Sequence, residues 1–119
     1  MEEAYIYDTV RSPRGKGKGG SLNELTAVAL SAKILKEIRS RNDLNTEEVE
    51  DVIWGNVTQV GEQGGCLARS AAIAANYSET TPGLSINRFC ASGLEAVNLA
   101  TNQVKGSAGS DSVSESVSQ

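Results

Sequence analysis

One α/β domain is predicted for this chain, with a mainly parallel sheet covered by helices. Three observations carry that expectation. β-favouring runs alternate along the chain with stretches whose apolar residues recur at helical spacing. The segment Val52-Ile53-Trp54-Gly55-Asn56-Val57 is nearly continuously apolar, as a parallel strand covered on both faces must be. The 119 residues suffice for one core, and with hydrophobic residues at 39% but aromatics at only 4%, that core must be built from Ala, Val, Leu and Ile.

Each element has a local reason. In residues 4–10, Ile6 and Val10 alternate with Tyr5, Tyr7 and Thr9, which predicts a strand. Pro13 and the glycines of Arg14-Gly15-Lys16-Gly17-Lys18-Gly19-Gly20 then impose an extended basic loop. Ser21 as cap with Glu24 three residues later predicts a helix start, continued by Leu25, Val28, Ala29, Ala32 and Leu35, with Leu30, Ile34 and Ile38 widening the apolar face. Asn45 is placed to cap a short turn over Glu47, Glu48 and Val49. After the strand at 52–57, Gly61, Gly64 and Gly65 make a loop and residues 67–76 form an alanine-rich helix. Pro82 and Gly83 precede a strand beginning at Leu84, and a helix spans about 93–104. The expected order is β-α-(short α)-β-α-β-α.

Charge and composition exclude several roles. A net charge of −4, from 11 Lys and Arg against 15 acids, gives no electrostatic reason for a nucleic-acid partner. No stretch reads as a membrane span, and the opening residues lack the basic and apolar regions of a secretory signal, so a reducing, cytoplasmic setting is expected. In that setting Cys66 and Cys90 are free thiols, and the sequons at Asn56 and Asn76 go unused. The sequence holds no histidine, so a Cys-His or Ser-His pair cannot be assembled from it alone.

Cys90 is the residue with most chemical promise. It stands between the apolar run Leu84-Ser85-Ile86-Asn87-Arg88-Phe89 and the small-residue helix start Ala91-Ser92-Gly93, at the end of a helix dipole that favours a thiolate. The backbone amides of Cys90, Ala91, Ser92 and Gly93 are candidates to stabilise an oxyanion. The competing reading, a buried thiol acting as a small apolar residue, fits these surroundings less well. Cys66, in a glycine loop before the alanine-rich helix, is read as a packing thiol, and Glu95 as a partner of the helix dipole. Gly15-Lys16-Gly17-Lys18-Gly19-Gly20 also fits G-x-G-x-x-G. Dinucleotide binding is therefore a lower alternative, weakened because the helix starts only after the last glycine and no acid follows the second strand.

Asn87-Arg88-Phe89-Cys90-Ala91-Ser92-Gly93-Leu94-Glu95-Ala96-Val97 resembles the nucleophile segment of the thiolase family, and Asp8-Thr9-Val10-Arg11-Ser12-Pro13 resembles its opening. Ketoacyl synthases, of the same superfamily, place a cysteine similarly but match this wording less closely. The glycine-rich loop together with Gly61-Glu62-Gln63-Gly64 is most similar to the bacterial fatty-acid oxidation branch. The resemblance implies acyl transfer between coenzyme A thioesters through a cysteine acyl-enzyme at Cys90, with no metal and no tightly bound cofactor. It further implies support of the nucleophile turn by Asn87 and Arg88, and loop bracing by Arg69.

The family's histidine and second cysteine belong to a later half that this sequence lacks. Self-association or a complementary C-terminal half is therefore the expected partner, besides acyl-CoA or CoA, and a catalytically inactive fragment or interaction subunit is the alternative. Thiolases follow the nucleophile helix with an apolar strand before a segment similar to Glu115-Ser116-Val117-Ser118. Here residues 106–119 are serine-rich, so the expectation is a partial domain at 1–105, its last strand missing, and a disordered or degenerate tail.

Overall fold

The computed structural model describes residues 3–13 and 25–106, and the backbone of 112–116. The glycine-rich loop with Arg14, Lys16 and Lys18, and the pair Ser21 and Glu24, lie outside the described residues. Three parallel strands form one sheet in the order β2-β1-β3: β1 is Asp51–Gly55, β2 is Gly83–Ile86 and β3 is Ser112–Ser116. Val52 pairs with Gly83 on one side of β1 and with Val113 on the other.

The central strand explains the layering. Val52, Ile53 and Trp54 are fully buried, and the two-residue period of a strand sends them alternately to opposite faces. Val52 and Trp54 join Leu67, Ala68, Ala71 and Ala72 of helix α2 (Leu67–Ala74) and Ala32 and Leu35 of helix α1 (Ala27–Asn42). Ile53 points the other way, onto Ala96 and Ala100 of helix α3 (Ser92–Gly106). Helices therefore cover both faces, as the sequence predicts. Alanine dominates the helix surfaces because large side chains would hold the layers apart. The scarce large residue, Trp54, fills the middle.

Two glycines allow the closest approaches. A Cβ on Gly83 would lie 2.4 Å from the Arg69 backbone nitrogen in α2, and one on Gly55 would lie 2.6 Å from the Ser92 carbonyl carbon in α3. α1 is fastened to α2 by Arg39, which donates to the carbonyl oxygens of Ala75 and Asn76 at 2.7 and 3.0 Å. The buried Tyr77 hydroxyl donates to the Leu35 carbonyl at 2.8 Å. The Asn45 cap forms as expected, accepting the Glu47 N–H in front of a 3-10 turn at Thr46–Glu48.

Three expectations are corrected. Residues 4–10 form no strand: local β propensity cannot create a partner, and the segment pairs with none of β1, β2 and β3. Instead the segment is tied to the end of α1. Asp8 accepts from Asn42 at 2.9 Å and pairs with Arg41 at 3.3 Å, while Tyr5, Ile6 and Tyr7 are exposed. α1 begins at Ala27 behind a Thr26 cap, whose hydroxyl accepts the Ala29 N–H at 3.0 Å, rather than running through Leu25. The last strand is present: Ser112–Ser116 pairs with β1 from Asp51 to Gly55, because a ladder is made by backbone groups and needs no continuous apolar run. Among the described residues no helix is long and apolar enough to cross a membrane.

Candidate active site

Cys90 lies in a turn that leaves the sheet at Ile86 and enters α3 at Ser92. The thiol is exposed rather than sealed in the core. The ladder is prolonged past β1 by the Asn56 N–H, which donates to the Ile86 carbonyl at the end of β2 at 2.8 Å. From there the chain is bound by short-range hydrogen bonds. Asn87 Oδ1 accepts the Phe89 N–H at 2.8 Å, and Asn87 Nδ2 donates to the Val57 carbonyl at 3.2 Å, tying the turn to the loop after β1. Phe89 takes the left-handed conformation, φ 50°. The Ser92 hydroxyl donates to the Phe89 carbonyl at 2.7 Å and accepts the Arg88 N–H at 2.8 Å.

The four amides considered for an oxyanion do not stand alike. Ala91 N–H donates to the Arg88 carbonyl at 3.0 Å and Ser92 N–H to the Phe89 carbonyl at 3.1 Å, because a tight turn closes through just such bonds. Those two are spent inside the turn. The Cys90 and Gly93 amides donate none of the turn bonds that engage Ala91 and Ser92. Gly93 and Ser92 sit directly against Gly55, which brings the start of α3 onto the end of the central strand.

Around this turn, Arg88 Nε lies 3.7 Å from Glu95 Oε2 in the first turn of α3, both side chains being well exposed. A pair this open contributes little energy but neutralises the acid beside the helix start. Arg69 donates to the carbonyls of Thr81 and Glu79 at 2.7 and 2.8 Å, bracing the loop that enters β2. Cys66 is half-buried at the start of α2, its thiol donating to the Gly83 carbonyl at 3.4 Å with Ser85 Oγ 3.9 Å away. Both of these partners belong to β2.

Three contributors escaped the sequence reading. Gly55 looked like an ordinary strand residue and Gly83 like the end of a connection, and only their backbone neighbours reveal why no Cβ fits. Asn56, read as an unused sequon, is fully buried and donates to the Gln63 carbonyl at 3.0 Å, so it anchors the loop beside the turn. A polar residue closing an apolar strand was the available signal.

The described geometry agrees with what similar proteins are. Residues 4–113 match the family model described as thiolase, N-terminal domain. A 3-ketoacyl-CoA thiolase of Colwellia psychrerythraea is 42% identical over 105 residues, covering 87% of this chain and 27% of that protein. One from Yersinia enterocolitica is 40% identical over 99 residues, covering 82% and 26%. The crystal structure of the Bacillus anthracis acetyl-CoA acetyltransferase superposes with a TM-score of 0.75 at 34% identity, covering 85% of this chain and 25% of that one. The chain thus spans about a quarter of the length of the curated relatives it matches. Motif, parallel sheet and family match coincide on the same residues, and the chain belongs to the thiolase family.

Proposed function

We propose that this chain supplies the nucleophile half of a thiolase-type acyl transfer, with Cys90 as the acyl-accepting residue. The observation that supports it is an exposed thiol in a braced turn immediately before α3, with the Cys90 and Gly93 amides outside the bonds that close the turn. The Cys90 sulfur, its proton passed to a base, bonds to the carbonyl carbon of an acyl-CoA thioester. The carbonyl electrons move to oxygen, and the resulting oxyanion is held by the Cys90 and Gly93 N–H groups. Collapse breaks the bond to the CoA sulfur, which leaves as a thiolate and takes up a proton. The acyl group stays on Cys90 as a new thioester. A thiolate serves here because it is both a strong nucleophile and a competent leaving group.

The acceptor then decides direction: free CoA takes the acyl group in thiolysis of a 3-ketoacyl-CoA, and an acetyl-CoA carbanion takes it in synthesis. CoA thioesters are substrates in this scheme, not resident cofactors. The 119 residues hold no histidine, so the base and the second proton-shuttling thiol lie outside them, in a complementary C-terminal half. Chemistry on a free thiol requires a reducing compartment, the cytoplasm in this reading.

The test is acylation itself. Protein supplied with a histidine-bearing C-terminal thiolase half, incubated with acetyl-CoA and digested, should carry one acetyl group on the Cys90 peptide, absent from Cys90→Ser. Acetylation that is undiminished in Cys90→Ser, or that falls on Cys66 instead, would refute the assignment. The missing histidine also supports a second reading, a thiolase-derived interaction subunit without turnover. That reading predicts association without acylation.

A further inference from the structure

The turn that carries Cys90 is built around a residue in an unfavourable conformation. Phe89, at φ 50°, occupies a region that residues with a Cβ visit seldom. Its ring is 75% exposed, so side-chain packing does not select the conformation. Polar side chains bind both ends of the residue instead. Asn87 Oδ1 accepts its N–H at 2.8 Å, and the Ser92 hydroxyl donates to its carbonyl at 2.7 Å while accepting the preceding Arg88 N–H at 2.8 Å. Ser92 is 2% exposed and pressed against Gly55, so its hydroxyl cannot swing away to water. Asn87, at the surface, is anchored from its other end by the Val57 carbonyl.

We infer that the Ser92 hydroxyl and the Asn87 carboxamide are positioning residues that lock Phe89 in its left-handed state and thereby aim the Cys90 thiol outward over the start of α3. The lock sits on either side of the thiol: Asn87 precedes it by three residues and Ser92 follows it by two. Released from either clamp, Phe89 relaxes toward negative φ, and a rotation there swings Cys90, the very next residue. The sulfur then spends less time in its outward position, where a reagent can reach it. Its purpose rests on the reading of Cys90 as the nucleophile, whereas the clamp itself is a matter of geometry that can be tested without any acyl-CoA.

The experiment is timed alkylation of the full chain with iodoacetamide, followed by peptide mass spectrometry, with Cys66 as internal reference. Ser92→Ala and Asn87→Ala should each lower the Cys90-to-Cys66 rate ratio roughly three- to tenfold, the population cost of a freed left-handed residue. Adding Phe89→Gly to either should return the ratio to within about twofold of the parent, since glycine takes positive φ without support. General loosening of the domain would instead raise labelling of Cys66 and would not be rescued by glycine. Unchanged ratios in both single variants, or failure of Phe89→Gly to restore them, overturns the inference. Should Ser92→Ala lose its helical circular dichroism, the exposed-site variant Asn87→Ala and its glycine rescue decide alone. Loss of acetylation with the glycine rescue intact would count against the acyl-transfer proposal and leave the clamp standing.

Discussion

Gly55→Ala tests the junction on which the site depends. The new methyl carbon would lie 2.6 Å from the Ser92 carbonyl carbon, 2.7 Å from the Gly93 nitrogen and 2.8 Å from the Ser92 oxygen. Ordinary contact begins at 3.4 Å, so the overlap with the nearest atom is 3.4 − 2.6 = 0.8 Å, and all three atoms are backbone. No rotamer change can relieve it, and the first turn of α3 must shift. Overpacking of this kind costs about 2 kcal/mol. With a urea slope of about 1–2 kcal/mol/M, the unfolding midpoint should fall by about 1–2 M. Because the displaced atoms belong to Ser92 and Gly93, alkylation of Cys90 should slow in the folded protein at the same time. Gly106→Ala is the control: among the described residues no atom lies within 4 Å of its added carbon, so it should leave the Cys90 rate unchanged and should not lower the urea midpoint. An unaltered urea midpoint together with an unaltered Cys90 rate in Gly55→Ala would refute the reasoning.

Other outcomes follow from the same structure. In timed alkylation Cys90 should be labelled before Cys66, since one thiol is exposed and the other is half-buried and donates to the Gly83 carbonyl; equal labelling throughout would contradict this. The Asn42 and Thr9 N–H groups, with Arg41, hold the Asp8 carboxyl below its ordinary value of 3.8. The sign follows from linkage: the tether is fully present above pH 3.8 and is lost as the pH falls through the lowered native value, so protease sensitivity of residues 3–13 should rise only in that acid range and Asp8→Asn should show it already at neutral pH. The purified chain alone should show no thiolysis of acetoacetyl-CoA, and a robust rate from it would overturn the need for an outside base.

What was legible in the sequence was whatever repeats locally. The apolar run through Trp54 announced a doubly covered strand, because every residue of such a strand needs an apolar neighbour regardless of which face it takes. The alanine-rich stretch at α2 and the Asn45 cap were readable for similar reasons, as each depends on residues a few positions apart. Pairing is different. Tyr5, Ile6 and Tyr7 favour a strand as individuals, yet they pair with no strand of the sheet, and nothing within residues 4–10 encodes that fact. The converse holds for Ser112–Ser116, whose side chains gave no strand signal although its backbone finds β1. At the site, the placement of Cys90 was readable from the residues around it. The division of labour among the amides was not, since which N–H groups a turn consumes depends on its dihedral angles.

The site and the core are coupled through β1. Its side chains set both layers, with Trp54 facing α1 and α2 and Ile53 facing α3. Its last residue, Gly55, lets the start of α3 rest on the strand end, and the residue after it, Asn56, carries the ladder on to the Ile86 carbonyl where the Cys90 turn begins. Val57, one residue further, accepts from Asn87 inside that turn. Three consecutive residues of one chain segment thus touch the helix start, the strand end and the clamp of the nucleophile turn. A cysteine aimed by bonds this short moves only if the central strand moves, and that strand is buried on both faces. The rigidity of the thiol's position is therefore inherited from the core.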